Sequence, residues 1–183
     1  MGRSDGRLAT MQITECTHDR HAVAILDILN DAIVNTTALY DYHVRPLSSM
    51  TAWFAAKRAG DFPVLGAIDV DERLMGFASY GPFRAWPANK YTVEHSVYVH
   101  RDYRGRGIAC SLLQKLIAIA RGQQYHVLVG GIDIANTASI VLHEQLGFEH
   151  AGTIRQAAFK FGRWLDLGFY QLILDTPTEP VDG

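Results

Sequence analysis

The chain has 183 residues, 48% of them hydrophobic and 20% charged. A chain of that length buries about 70% of its unfolded surface, so one self-sufficient domain is expected and wholesale disorder is excluded. Seventeen Lys and Arg against nineteen Asp and Glu leave a formal charge of -2, which removes the broad basic field of a nucleic-acid binder.

Residues 1–10 are polar and glycine-rich, lack the apolar core of a signal peptide, and are expected to form a mobile extension ahead of a domain spanning residues 11–175. A short strand is expected at Gln12 to Glu15. Ala22, Ile25, Leu26, Leu29 and Ile33 recur at helical spacing, predicting a helix capped by Asp19 that runs to about Val34. A polar, aromatic loop containing Tyr40 and His43 ends at Pro46; Ser48 or Ser49 then caps a second helix that stops near Gly60. The loop is a candidate substrate wall.

Val64 to Val70 and Leu74 to Tyr80 read as a hairpin around the turn at Asp71 and Glu72. From Tyr91 to Val99 the residues alternate, with Val93, Val97 and Val99 on one face and Glu94, Ser96 and Tyr98 on the other. His95 falls on the valine face unless a bulge redirects it. A helix from about Gly107 to Arg121 follows, burying Ile108, Leu112, Leu113, Leu116 and Ile119. A strand at His126 to Ile132, a helix capped by Asn136 and stopped by Gly147, and strands at about Ala151 to Phe159 and Leu167 to Leu174 complete a mixed α/β sheet. Residues 176–183 read as a frayed tail. The richest apolar stretch, Leu112 to Ala120, is broken by Gln114 and Lys115 and is far short of the roughly 18 residues of a membrane span. Cys16 and Cys110 show neither CxxC spacing nor a disulfide framework, so a reducing cytosol is the expected compartment.

The junction between the valine strand and its helix, Arg104, Gly105, Arg106, Gly107, Ile108, Ala109 and Cys110, carries the chemistry. Unpaired N–H groups of a first helical turn and the helix dipole attract an anion, glycines admit it to the backbone, and Arg101, Arg104 and Arg106 add local positive charge. A Walker A loop would need Gly-Lys followed by Ser or Thr, and a dinucleotide fingerprint would need an acidic residue about 20 positions on, near Val127. Neither is present. A surface turn with solvated arginines is the plain alternative.

Arg104, Gly107 and Ala109 match the RxxGxG/A signature of the GCN5-related N-acetyltransferases. TVEHSVYV (Thr92 to Val99), LHEQLGF (Leu142 to Phe148) and FKFGRWLDL (Phe159 to Leu167) resemble the phosphinothricin and methionine sulfone acetyltransferase branch of that family, over roughly Ile13 to Leu174. The resemblance implies the GNAT fold: a mixed, mostly antiparallel central sheet with helices on both faces. It also implies acetyl-CoA as co-substrate, with its pyrophosphate on Gly105 to Cys110 and its pantetheine arm along Val97, Tyr98 and Val99 and near Asn136. No metal is called for, and a homodimer is expected on the resemblance alone.

An ammonium group cannot attack a thioester until it loses a proton, so the reaction needs a base. The resemblance gives that role to Glu94, which otherwise reads as an acidic side chain on a solvated strand face. Asn136, Ser139 and His143 share one helix face, with Leu142 and Leu146 on the buried side. By the resemblance His143 stands where the wider family often has a tyrosine that protonates the departing thiolate, and a histidine of ordinary pKa near 6.5 can relay that proton; the alternative is a surface histidine. The loop holding Arg84, Ala85 and Trp86 is expected beside the acceptor, with Arg84 on its carboxylate; His95 and Ser96 are further pocket residues. Lys160 and Arg163 read first as solvated charges. The expected reaction is acetylation of the α-amine of a small amino-acid analogue: methionine sulfone, methionine sulfoximine or phosphinothricin. An acyl-CoA-binding sensor without turnover, and a transferase for a peptide N-terminus or an aminoglycoside, remain alternatives.

Overall fold

Apolar side chains three and four apart bury one stripe of α1 (His18–Asn35), and the shorter α2 (Ser48–Ala59) packs beside it through Met50 and Phe54. The structure, a computed structural model, describes residues 11–182. The expected extension at residues 1–10 lies outside them. Thr17, not Asp19, stands at the start of α1, and Leu47 at the start of α2, where Ser49 instead bonds Pro46 O.

The strands are β1 (Gln12–Glu15), β2 (Val64–Ile68), β3 (Leu74–Pro82), β4 (Thr92–Val99), β5 (Val127–Asp133), β6 (Glu149–Lys160) and β7 (Arg163–Ile173). They form one sheet in the order β1-β2-β3-β4-β5-β7-β6, antiparallel except between β4 and β5. α1 and α2 cover one face; α3 (Ile108–Gly122) covers the other, with Leu112, Leu113 and Leu116 fully buried. Ile119, expected in that core, is only half-buried against it.

The parallel pair makes the site. β4 pairs with β5 only from Thr92 opposite Val127 to Glu94 opposite Val129, whereas β3 follows β4 as far as Val99. Beyond Glu94 the strands part, since β5 follows its antiparallel partner β7 from Val127 to Asp133, and among the described residues the backbone edge of β4 that faces the gap has no strand partner. The β3–β4 register runs without a shift, so no bulge turns His95, and the alternation read from the sequence holds.

The segment expected as a tail makes hydrogen bonds to the body of the domain. Thr176 bonds Tyr125 O and His126, and Val181 N donates to the Tyr91 hydroxyl at 3.1 Å. No helix among the described residues is long and apolar enough to cross a membrane.

Candidate active site

A cavity of about 530 Å³ fills the gap between β4 and β5. Glu94, His95, Ser96, Val97 and Tyr98 line it from β4; Gly130 to Asp133 line it from β5, and Asn136, Ser139 and His143 from α4 (Thr137–Gln145) and its cap. Thr37 to Tyr40 of the early loop close the near side. A second cavity, also about 530 Å³, continues from it: both include Thr37, Ala38, Val97, Tyr98, Asp133 and Asn136, and the second extends to Val99, Arg104 and Arg163. Together they run from Arg104, at the start of the turn before α3, to Glu94 and His143.

Glu94 and Gly131 share the α1/α2 face of the sheet; a Cβ at Gly131 would stand 3.3 Å from Glu94 Oε1. The cavity walls desolvate the carboxylate and raise its pKa above the ordinary range, partly offset by the positive charge of Arg84. A raised pKa makes a stronger base.

His143 is the most deeply placed residue of α4, 2% exposed, which excludes the surface reading; Leu142 and Leu146, expected on the buried side, are only half-buried. Its Nδ1 lies 2.6 Å from Ser139 O. A carbonyl oxygen only accepts, so Nδ1 carries the hydrogen and Nε2 is left with its lone pair. Burial lowers the pKa despite that bond, so the ring is neutral at pH 7, not poised near 6.5. His95 stacks on it with ring centroids 5.0 Å apart and planes 16° from parallel, and Phe148 meets both rings edge-on. Burial, with the neighbouring His143, also lowers the pKa of His95. A Cβ at Gly130 would stand 2.9 Å from His95 Nε2 and 3.3 Å from His143 Nε2, so glycine there lets both rings approach the strand.

At the α3 junction Gly105 and Gly107 have φ of 74° and 75°, the left-handed region that favours glycine. Among the described residues nothing lies within 4 Å of a Cβ built on either, so the backbone there has room for a ligand. The first-turn N–H groups of Ile108, Ala109 and Cys110 have no helical acceptor. The Ile108 side chain is core, 3% exposed, and offers only its backbone. The arginines are less free than the sequence implies: Arg101 and Arg104 each reach Asp31 at 3.3 Å, and Arg106 donates to Asp102 O at 3.0 Å. Arg101 and Arg104 are themselves exposed, so these ion pairs are weak, about 0–1 kcal/mol.

Asn136 caps α4 by accepting from Ser139 N at 3.2 Å while lining both cavities. Arg84, Ala85 and Trp86 do not line the cavity; they follow Pro82, which does, and Trp86 is 74% exposed. Arg84 lies over the Phe83 ring at 5.0 Å. Tyr40 is in the wall and His43 is not.

Lys160 is no solvated charge. It is 4% exposed and donates to Ile33 O at 2.7 Å, Thr36 O at 3.0 Å and Leu39 O at 2.5 Å, tying the end of α1 to the loop that walls the cavity. Thr37 is further held by Asp133 at 2.7 Å, and Arg163 pairs with the same carboxylate at 3.1 Å. Burial raises the Asp133 pKa, but bonds from Thr37, Ala135 and Arg163 outweigh it and hold the group ionised. Thr37 to Tyr40 belong to the loop expected as a substrate wall, whereas Lys57, Gly130, Gly131, Asp133 and Leu167 are wall residues that sequence reasoning missed. The paired glycines in β5 were the available signal, since glycine within a strand marks close approach.

A cavity-lining carboxylate of raised pKa on one side of a split sheet, a neutral imidazole on the other and an open glycine turn at the start of α3 are a geometry suited to group transfer between two substrates. Residues 23–148 match the acetyltransferase (GNAT) family model, and the chain belongs to that family. It is 49% identical over 151 residues to an L-methionine sulfoximine/L-methionine sulfone acetyltransferase of Pseudomonas paraeruginosa, covering 82% of this chain and 88% of the relative. A phosphinothricin N-acetyltransferase of Alcaligenes faecalis is 34% identical, with 80% of each chain covered. The crystal structure of a GNAT phosphinothricin acetyltransferase from Sinorhizobium meliloti in complex with acetyl-CoA superposes with a TM-score of 0.89, 28% identity and 95% of each chain covered.

Proposed function

We propose that this acetyltransferase moves the acetyl group of acetyl-CoA to the α-amine of a small amino-acid analogue such as methionine sulfone, methionine sulfoximine or phosphinothricin. The observation that carries the reading is the placement of Glu94, with its raised pKa, at the point where β4 and β5 part. The residues fit the co-substrate: Gly105, Gly107 and the open N–H groups of α3 suit its diphosphate, and the unpaired edge of Val97 to Val99 suits the amides of its pantetheine arm. Bound there, acetyl-CoA supplies an activated acyl group.

Glu94 accepts the ammonium proton, freeing the nitrogen lone pair. As the N–C bond forms and the C–S bond breaks, an N–H at Val97 or Tyr98 on the open edge of β4 receives the developing oxyanion. His143 Nε2 is the only ring position able to take a proton, because Nδ1 is committed to Ser139 O. Its lowered pKa makes it a weak base but a strong acid once charged, suited to passing the nitrogen proton to the thiolate. Arg84, close enough to influence Glu94, assists at the cavity mouth with Ala85 and Trp86.

Of the two carboxylates in the wall, Glu94 and Asp133, the second is already paired with Arg163. A polycationic aminoglycoside would therefore find a single free carboxylate, which favours a compact zwitterion. The free thiols of Cys16 and Cys110 suit a cytosolic setting, and the exposed Phe159, Phe161 and Trp164 at the β6–β7 end offer a surface for the expected homodimer.

Mixing protein, acetyl-CoA and a panel of amines while following free thiol tests the reading. Amine-dependent release that is strongest for the methionine analogues is expected; tight acetyl-CoA binding without release on any amine would replace it with a sensor.

A further inference from the structure

Lys57 has no part in the mechanism above, yet it lines the same cavity as Glu94. It projects from α2, half-buried, beside the rings of Trp53 and Phe62, with Nζ 5.4 Å and 5.9 Å from their centroids. Nζ donates to Tyr80 O at 2.7 Å. An ammonium has three N–H groups, so two remain for something else, and among the described residues no carboxylate pairs with it. Burial pushes its pKa down to about 8, the mark of a cation with no anion beside it.

Its position relative to Glu94 is fixed by the sheet. Gly81 is directly opposite Glu94 in the β3–β4 register, and side-chain positions of opposed residues share a face. A Cβ at Gly81 would stand 3.6 Å from Lys57 Nζ. The ammonium and the Glu94 carboxylate thus meet the same space on the same face, one strand apart and without touching each other. A free α-amino acid carries an amine and a carboxylate on a single carbon, and those two groups match this pair in sign and order. Arg84, the other cation in the neighbourhood, is exposed and outside the wall.

We propose that Lys57 binds the α-carboxylate of the acceptor and so determines specificity for free amino acids over their amides, esters and peptides. This rests on the amino-acid reading of the preceding section. The carboxylate is held alike before and during acetyl transfer, so its loss falls on KM.

The test compares methionine sulfone with its carboxamide as acceptors for the wild-type enzyme, Lys57→Gln, Lys57→Met, Lys57→Arg and Arg84→Ala. Gln retains a donor for Tyr80 O without the charge. Wild type is expected to favour the acid; in Lys57→Gln and Lys57→Met the acid-over-amide ratio of kcat/KM falls about 10- to 100-fold, the worth of a charge-assisted hydrogen bond, through KM for the acid. Lys57→Arg restores much of the ratio. A merely structural role would lower both substrates together and leave the ratio intact, overturning the proposal, as would loss of the ratio in Arg84→Ala alone. Turnover of acid and amide at equal efficiency by the wild type would sink the Lys57 assignment while sparing the transferase reading; no turnover of any amine would sink both.

Discussion

Replacing Lys160 by Met retains the apolar stem and removes the ammonium that holds Ile33 O, Thr36 O and Leu39 O. The first two oxygens belong to the end of α1, where no following helical N–H reaches them. Each buried acceptor left without a donor costs about 1–3 kcal/mol. Relief from burying an ammonium, itself worth several kcal/mol, offsets part of that sum. The balance is a net loss of about 2–4 kcal/mol, and a domain of this size shifts by roughly 2–4 °C per kcal/mol, so Tm falls by roughly 4–16 °C. Thr37, Ala38, Leu39 and Tyr40 form one wall of the acceptor cavity, so the same change raises KM for the amine. Calorimetric melting at pH 7 and steady-state kinetics read the two effects. A Tm within about 1 °C of wild type, together with an unchanged KM, would refute the claim that this lysine builds the wall.

Gly107→Glu brings a carboxylate and a left-handed penalty of roughly 1–2 kcal/mol to φ 75°; loss of acetyl-CoA binding by titration calorimetry is expected, and unchanged binding would displace the diphosphate from this turn. Gly130→Ala places a Cβ 2.9 Å from His95 Nε2, an overpacking worth about 1–3 kcal/mol; kcat should fall further than KM rises, and wild-type kcat would show that the histidine pair is not held by this strand. Glu94 is protonated below its raised pKa and basic above it, so kcat/KM of the wild type climbs with pH through a point above the ordinary carboxylate range. The folded state favours the protonated form, so ionisation of Glu94 removes stability as pH rises; Glu94→Gln is therefore expected to melt higher than wild type at pH 7, with kcat about 10²- to 10⁴-fold lower and that limb of the profile gone. A limb that survives the substitution assigns the base elsewhere.

The strand, turn and helix from Thr92 to Gly122 were legible because period-2 alternation, two glycines and a helical stripe follow one another without interruption. Their consequence, a carboxylate on one face and His95 on the other, followed directly. Lys160 was illegible for a simple reason: its acceptors are backbone oxygens 121 to 127 residues away, and nothing in a local pattern separates a buried lysine from a solvated one. His143 was placed on the correct face but with the wrong depth, since α4 sits over the open gap and its polar stripe, not its leucines, fills that gap. Lys57 is brought to Glu94 by sheet register, which no spacing in the sequence encodes, whereas the loop holding Thr37 to Tyr40 lines the cavity as its polar, aromatic composition led one to expect. The starts of α1 and α2 also misled, because Thr17 and Leu47 hold the cap positions without any side-chain bond, whereas Asn136 caps α4 as expected.

In the proposed reaction an acetyl group leaves a thioester for the α-nitrogen of a small amino acid, with Glu94 as base. Product analysis by NMR after incubation with acetyl-CoA and methionine sulfone addresses it most directly, run for wild type and Glu94→Gln side by side. The expected result is α-N-acetylmethionine sulfone with one free thiol per product for the wild type, and little of either for the variant. Thiol release without an acetylated amine, or equal product from both proteins, would contradict it.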